Sequence, residues 1–240
     1  VNQIHYTTWN IIMNRTSNIV TYLRKIKAQG LEINTVYDVG ACIGNWMRMM
    51  HQSVLADAEF YLFEGNPVYK DILAATGSFS HIGVLSNPER TSVQFYNGND
   101  TGDSYYKETT DHYDNRTAID LPCRTLDSVI EEYNLPIPQF LKMDTQGSEL
   151  DILAGASKII GVTDLIYLEC PIIEFNKGAP SIYEYITYMQ KHGYIPTDVL
   201  EVHKAEDVLL QIDIMFILAE TKDRLFGKNV HIKPFAGVSK

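Results

Sequence analysis

The sequence has 240 residues, of which 45% are hydrophobic and 21% charged, and its formal net charge is −10. This size and composition suit one globular domain with or without an appendage, and no apolar run approaches the length that spans a bilayer. The acidic balance argues against a nucleic-acid partner, because phosphates are bound by clustered Lys and Arg. The N-terminus shows no secretory pattern, and the three cysteines have no zinc or redox spacing. We therefore expect a cytoplasmic protein.

The first predicted element is an amphipathic helix over 15–29, since Ile19, Leu23 and Ile26 share one face and Gly30 ends it. Beyond it, short apolar segments alternate with helical ones. The predicted strands are 35–40, 59–64, 81–86, 139–144, 164–170, 194–200 and 209–218, and the predicted helices are 44–55, 68–75, 126–133, 148–160 and 182–192. The alternation predicts an α/β fold with a seven-stranded, mostly parallel sheet and helices on both faces. The short connection at 203–207 predicts a final hairpin, which makes one strand antiparallel.

A polar segment at 87–123 interrupts this alternation. VQFYN predicts one strand within it, but the rest is turn-rich and long for a connection inside a compact domain. The chain is accordingly divided into an N-terminal helical appendage (1–34), a ligand-binding domain with this insert (35–220) and a C-terminal tail (221–240). Because long loops on rigid scaffolds often determine specificity, the appendage and the insert are expected to cover the substrate.

The first strand ends in DVGACIG, at the edge of the sheet where open α/β folds bind ligands. Gly40 and Gly44 permit a tight turn beside the unpaired N–H groups of the next helix. A nicotinamide or flavin fingerprint would be G-x-G-x-x-G, but Cys42 occupies the middle position. Asp38 would repel a pyrophosphate and suits a ligand with a positive charge, the alternative role being to cap the turn.

Glu64 ends the second strand about twenty residues after Gly44, the spacing typical of an acid that binds both ribose hydroxyls. It indicates an adenosine-containing ligand without identifying the cofactor. Asn66 follows at the start of a helix, where capping and ligand contact are equally consistent with its position.

Together with FEGNP, RTLDSV, FLKMDTQGSELDILAGA and LQIDIMF, this loop resembles the FkbM-type methyltransferases, which are Rossmann-like enzymes that use S-adenosylmethionine. The resemblance runs from about Thr35 to Leu218, and LKMDTQGSELDILAGA is its most specific part. It implies the class I methyltransferase fold, S-adenosylmethionine as cofactor, and methylation of a sugar or polyketide hydroxyl. The implied or expected cofactor contacts are Asp38, Gly40, Ala41, Gly44, Glu64, Asn66, Asp144 and, near the adenine, Ser86 beside Leu85.

Methyl transfer to a hydroxyl requires a group that removes the proton of the acceptor. Asp144 and Glu169 end the fourth and fifth predicted strands, so either Asp144 acts as the base or both acids share a divalent metal such as Mg²⁺. His203, in the connection before the last strand, is a second candidate base, the alternative being a solvated loop histidine. Gln146 is expected to orient these groups by hydrogen bonding.

Two charged residues lie in otherwise apolar strands. Lys142 is expected to pair with an acid or to contact the substrate, and Asp213 requires a partner that the sequence does not identify. Tyr105, Tyr106 and Tyr113 in the insert are candidates for stacking on a sugar ring.

Three functions remain open from the sequence: an O-methyltransferase with a small-molecule or glycan acceptor, a non-catalytic interaction module within a longer polypeptide, and a nicotinamide-dependent Rossmann enzyme. DVGACIG disfavours the last. Base-methylating enzymes have an Asn/Asp-Pro-Pro-aromatic motif where this chain has MDTQGSE, which further disfavours nucleic acid.

Overall fold

The computed structural model describes residues 19–98, 102–110 and 116–227. Its strands are β1 (Thr35–Val39), β2 (Glu59–Glu64), β3 (Phe79–Ile82), β4 (Val84–Leu85), β5 (Ser92–Asn97), β6 (Thr117–Arg124), β7 (Phe140–Met143), β8 (Leu165–Pro171), β9 (Tyr194–Ala205) and β10 (Val208–Leu218). Its α-helices are α1 (19–28), α2 (Asn45–Ser53), α3 (Lys70–Ala74), α4 (Leu126–Tyr133), α5 (Glu149–Ala154), α6 (Ile182–Lys191) and α7 (Ala219–Phe226). In these ranges, none of the helices is both long enough and apolar enough to cross a bilayer.

Seven strands form the central sheet in the order β3-β2-β1-β7-β8-β10-β9. The first five are mutually parallel, and β10 is antiparallel to both β8 and β9. The strand order reverses after β1, which places the switch point of the sheet between β1 and β7. The predicted Rossmann-like sheet with one antiparallel strand is confirmed.

Helices cover both faces of this sheet, so its inner strands are apolar on both sides. Every residue of β1 and of β7 is buried. Val36 and Phe140 belong to the core cluster under α1 and α2, whereas Tyr37 and Leu141 belong to the one under α4, α5 and α6. Strand alternation thus divides consecutive residues between two cores, and Lys142 lies on the same side of β7 as Phe140.

The insert is a folded part of the protein. The predicted strand 81–86 is divided at Gly83 into β3, in the central sheet, and β4, in a second sheet of order β4-β6-β5. The sequence analysis did not predict β6, because Pro122 lies within its short run of alternating apolar residues and a proline in such a run argues against a strand.

The final hairpin is longer than predicted. β9 continues to Ala205, and Glu206 (φ 53°) forms the tight turn to β10. His203 therefore lies in a strand, opposite Gln211, and the prediction that it lies in a loop is wrong. The sequence EVHKA is polar because β9 is the edge strand of the sheet, and its polarity is the reason why this part of the strand was not predicted. After β10, helix α7 includes the first residues of the predicted C-terminal tail.

Candidate active site

The carboxyl ends of β1, β2 and β7 enclose a cleft of about 570 Å³, which we call the glycine-loop cleft. Its walls come from the loop after β1, the ends of β2 and β7, and the insert. The lining residues are Val39, Gly40, Cys42, Phe63, Glu64, Gly65, Tyr69, Gly83, Val84, Leu85, Phe95, Asp103, Ser104, Tyr105, Asp144, Thr145, Ser148 and Ile152. Among the residues that the structure describes, this lining includes three acids and neither Lys nor Arg.

Gly40 brings the loop after β1 against the end of β7. It has φ 79°, and a Cβ at this position would lie 1.9 Å from the carbonyl oxygen of Asp144. The amide of Asp144 in turn donates to the carbonyl of Val39 at 3.1 Å. Only glycine permits this approach of two backbones; the sequence analysis expected a tight turn at Gly40 but not its contact with Asp144.

Glu64 organises the cleft through the main chain. Its Oε2 accepts a hydrogen bond from the Cys42 amide at 2.7 Å, and its Oε1 accepts one from the Asn66 amide at 2.8 Å. Burial raises the pKa of Glu64, while these two amides oppose the shift. Each carboxylate oxygen has a second acceptor position, so the side chain can still accept hydrogen bonds from two hydroxyls of a ligand.

Among the predicted cofactor residues, Gly40, Glu64 and Asp144 line the glycine-loop cleft, whereas the others are buried behind its walls: Asp38, Ala41, Gly44, Asn66 and Ser86. Asn66 caps the turn at Pro67–Tyr69, since its Oδ1 accepts from the Val68 amide. The Ser86 hydroxyl is 3.2 Å from the Tyr105 hydroxyl, so Ser86 supports a lining residue. Direct cofactor contact at these five positions stays a prediction.

Asp38 faces a cation supplied by the protein. The Lys142 ammonium lies 3.0 Å from Asp38 Oδ1, donates to the Gly40 carbonyl at 3.2 Å, and lies 3.7 Å from Asp144. Burial alone would lower the pKa of Lys142, but the carboxylates of Asp38 and Asp144 outweigh it and raise the pKa, so the ammonium stays charged. The partner expected for Lys142 is thus an acid of the first strand.

The insert forms a wall of the glycine-loop cleft. Asp103 lies in the lining, held by a buried ion pair with Arg116 at 2.7 Å. The Ser104 hydroxyl donates to the Gln146 carbonyl at 2.9 Å. The hydroxyls of Tyr105 and Tyr106 both donate to Asp151, at 3.2 and 2.9 Å. In the described residues the insert therefore borders this cleft, and its expected role in covering the substrate stays a prediction; Tyr113 lies outside these residues.

A second, smaller cavity lies on the α1 and α2 face of β7, β8 and β10, and we call it the carboxylate cavity. It is lined by Ile19, Trp46, Met49, Lys142, Met143, Asp144, Tyr167, Glu169 and Asp213. Asp144 is the residue that lines both spaces.

Amide side chains link the acids of the carboxylate cavity. The Gln146 amide donates to Asp144 Oδ1 at 3.0 Å and to Glu169 Oε2 at 2.7 Å. The predicted orienting role of Gln146 thus corresponds to an amide that bridges the two acids. The amide of Gln211 donates to Glu169 Oε1, a contact that the sequence analysis missed because it depends on the β8–β10 register.

Asp213 has two partners. His203 Nε2 is 3.0 Å from Asp213 Oδ1, and the Tyr167 hydroxyl donates to Asp213 Oδ2. Glu169, His203 and Asp213 each present one potential ligand atom, and these atoms lie within 4.8 Å of one another. Gln146 joins Asp144 and Glu169; that Asp144 acts as the base, or that the two acids share a metal, stays a prediction.

The sheet order, the glycine loop and the acidic residue that ends β2 define a Rossmann-like methyltransferase. The family model described as "Methyltransferase FkbM domain" matches residues 38–196, and the chain belongs to this family of S-adenosylmethionine-dependent methyltransferases. A search of curated proteins found no match.

Similar solved structures include an FkbM methyltransferase from Methylobacillus flagellatus KT, with 15% identity over 77% of this chain and a TM-score of 0.49. This chain covers 43% of that one. Magnesium protoporphyrin IX methyltransferase from Synechocystis PCC 6803 has 7% identity over 90% of this chain and 86% of its own, with a TM-score of 0.45. A putative O-methyltransferase from Klebsiella pneumoniae has 10% identity over 87% of this chain and 88% of its own, with a TM-score of 0.44.

Proposed function

We propose that the chain transfers the methyl group of S-adenosylmethionine to a hydroxyl of a sugar, glycan or natural-product acceptor. The observation that supports this most directly is the position of Asp144, which lines both the glycine-loop cleft and the carboxylate cavity. A methyl donor in the first space and a hydroxyl in the second would meet at this carboxylate.

The lining of the glycine-loop cleft fits S-adenosylmethionine better than a dinucleotide. Glu64 has acceptor positions left for the two ribose hydroxyls, and Leu85 and Phe63 offer apolar contact for the adenine. The acids of the lining favour a ligand with a positive charge, whereas a pyrophosphate would meet three carboxylates and no lysine or arginine. The same observation disfavours the nicotinamide-dependent alternative.

When bound, S-adenosylmethionine supplies an electrophilic methyl group on a positively charged sulfur. In the reaction the sulfur–methyl bond breaks as the acceptor oxygen forms its bond to the methyl carbon, and the hydroxyl proton is released. We assign removal of that proton to Asp144, held by the Gln146 amide at 3.0 Å. Glu169 and His203 are assigned to orient the acceptor. The buried Lys142 ammonium lines the same cavity and would stabilise negative charge that develops on the acceptor oxygen.

The lining of the carboxylate cavity suits a neutral polyhydroxyl acceptor. Trp46 offers an aromatic surface to a sugar ring, and the carboxylates of Glu169 and Asp213 can accept hydrogen bonds from its hydroxyls. The same carboxylates would repel an anionic acceptor. Ile19 of α1 also lines this cavity, which supports the proposal that the appendage 1–34 covers the acceptor.

The first test is calorimetric titration with S-adenosylhomocysteine of wild type, Glu64→Gln and Glu59→Gln. Glu59 is an exposed acid at the start of the same strand and serves as the matched control. We expect binding by wild type and Glu59→Gln, and at least about a tenfold weaker affinity for Glu64→Gln, equivalent to about 1.4 kcal/mol. A folded wild type that does not bind would overturn the proposal in favour of a non-catalytic module.

The acceptor class is tested next, by incubating the protein with methyl-labelled S-adenosylmethionine and separate pools of glycans, polyketide alcohols and nucleic acids. Labelled methyl ethers in a glycan or polyketide pool are the expected result. Label in nucleic acid, or on nitrogen, would contradict O-methylation.

A further inference from the structure

The three strands at one side of the central sheet place acids opposite one another. Asp213 on β10 is in register with Glu169 on β8 and with Glu201 on β9. Residues directly opposite each other across antiparallel strands project from the same face, where like charges are destabilising. Glu169 and Asp213 are also buried, at 8% and 4% exposure. Such a row of carboxylates is stabilised when a cation binds to it.

We propose that Glu169, His203 and Asp213 bind one divalent metal ion beside the acceptor. The role of the metal in the reaction rests on the proposed function, whereas the metal site itself is defined by these three side chains. Nothing in the sequence analysis joined the three residues; the alternative that it offered was a metal shared by Asp144 and Glu169.

The spacing of the potential ligand atoms suits a small octahedral ion. Two neighbouring ligands at about 2.1 Å from an octahedral ion lie about 3.0 Å apart. His203 Nε2 and Asp213 Oδ1 are separated by 3.0 Å, and all three ligand atoms lie within 4.8 Å of one another. One imidazole nitrogen among carboxylate oxygens favours Mn²⁺, Fe²⁺ or Zn²⁺ over Ca²⁺ and Mg²⁺, which prefer oxygen ligands alone.

Both proposed carboxylate ligands also accept hydrogen bonds from neighbouring side chains, as metal-binding carboxylates in proteins generally do. The Tyr167 hydroxyl donates to the other oxygen of Asp213, and the Gln211 and Gln146 amides donate to Glu169. His203 Nε2 lies within hydrogen-bond distance of Asp213 Oδ1, so a metal ion would take the place of the proton between these two atoms.

The position of the cluster indicates what a bound ion would do. Glu169 and Asp213 line the carboxylate cavity together with Asp144. Three protein ligands leave coordination positions of an octahedral ion open to the acceptor. Two adjacent oxygens, as in a vicinal diol of a sugar, would chelate it, and the metal would favour loss of the proton from a bound hydroxyl. The proton would pass to Asp144, and the oxygen would form its bond to the methyl carbon as the sulfur–methyl bond of S-adenosylmethionine breaks and S-adenosylhomocysteine leaves.

The test is titration of metal-free protein with Mn²⁺, followed by the loss of the free-ion electron paramagnetic resonance signal. The variants are His203→Gln and Asp213→Asn, and Asp198→Asn, an exposed acid of β9, is the matched control. We expect one site per chain, at least about tenfold weaker in both cluster variants and unchanged in the control. Absence of binding by the wild type, or equal binding by all four proteins, would overturn the proposal.

A second measurement avoids the variants altogether, in case they fail to fold. Electron spin echo modulation of the wild-type Mn²⁺ complex reports a directly bound imidazole nitrogen, and we expect this signal; its absence would exclude His203 as a ligand and overturn the site. Parallel titration of the same sample with S-adenosylhomocysteine separates the two proposals. Cofactor binding without Mn²⁺ binding contradicts the metal site alone, and the reverse contradicts the methyltransferase function alone.

Discussion

The glycine-loop cleft and the carboxylate cavity meet at Asp144 but are constructed differently. The first depends on the main chain: Gly40 packs against the Asp144 carbonyl, and Glu64 is held by two backbone amides. The second depends on side chains from several strands, in which Lys142 pairs with Asp38 and His203 pairs with Asp213.

This difference has a consequence for what each space recognises. Backbone groups at fixed positions suit a cofactor that never changes, and few substitutions alter them. Side chains on strands can be exchanged one at a time without changing the sheet, so under the proposed function the carboxylate cavity is the part in which acceptor specificity can vary. Substitutions that displace the main chain should therefore affect the glycine-loop cleft, and substitutions that remove a charge should affect the carboxylate cavity.

The largest effect is expected for Gly40→Ala. A Cβ at Gly40 would lie 1.9 Å from the Asp144 carbonyl oxygen, so the two backbones must separate, and we expect a loss of more than about 5 kcal/mol in the free energy of unfolding. Gly77→Ala is the control, because Gly77 has the same φ of 79° with no atom within 4 Å of the added Cβ. It should cost only about 1–2 kcal/mol. Equal losses in urea denaturation would show that backbone conformation, not close approach, determines the effect.

The next effect is expected from the carboxylate cavity. Lys142→Met leaves the Asp38 carboxylate buried without its cation, and breaking such a pair costs about 3–5 kcal/mol. Adding Asp38→Asn should recover part of this loss, since no lone charge then remains. Lys158→Met is the control: Lys158 pairs with Glu131 at 3.6 Å on the surface, and its loss should cost less than about 1 kcal/mol. Urea unfolding of the four proteins measures all three expectations, and a double variant no more stable than Lys142→Met would contradict the charge argument.

The same difference explains what the sequence could predict. Glycines, a strand-ending acid and the alternation of strands and helices are local patterns, so the fold, Gly40 and Glu64 were accessible from the sequence. The pairing of Asp38 with Lys142, and of Asp213 with His203, depends on strand order and register, which no local pattern encodes. β6 was missed because of the proline within it, and the end of β9 because an edge strand lacks the buried apolar run that identifies an inner strand.

The insert offers a smaller effect, on cofactor affinity. Arg116→Gln removes the ion pair that holds Asp103 in the lining of the glycine-loop cleft, and we expect about a tenfold weaker affinity for S-adenosylhomocysteine, or about 1.4 kcal/mol. Arg224→Gln is the control, because Arg224 is exposed and pairs with Asp164, which precedes β8 at the end of the sheet opposite the cleft. If both variants bind as wild type does, the insert wall is not needed to hold the cofactor.

The smallest effect is a pH dependence that arises behind the glycine-loop cleft. A Cβ on the lining residue Gly83 would lie 3.0 Å from His81 Nε2, so the His81 ring supports that wall. Burial, and secondarily the nearby Arg124, lower the pKa of His81. As the pH falls from about 7.5 to about 5.5, the unfolded chain takes up a proton that the folded protein resists, so stability declines, by at most about 1.4 kcal/mol per pH unit for one group.

His81→Gln should therefore lose less stability than wild type over this pH interval in urea denaturation, whereas His51→Gln, which replaces an exposed histidine of α2, should follow wild type. Parallel curves for all three proteins would place the acid sensitivity elsewhere, and the carboxylate cavity would be the region to examine by the same method. If the free energy of unfolding depends less on pH in His81→Gln alone, the wall of the glycine-loop cleft depends on one side chain, His81, staying neutral.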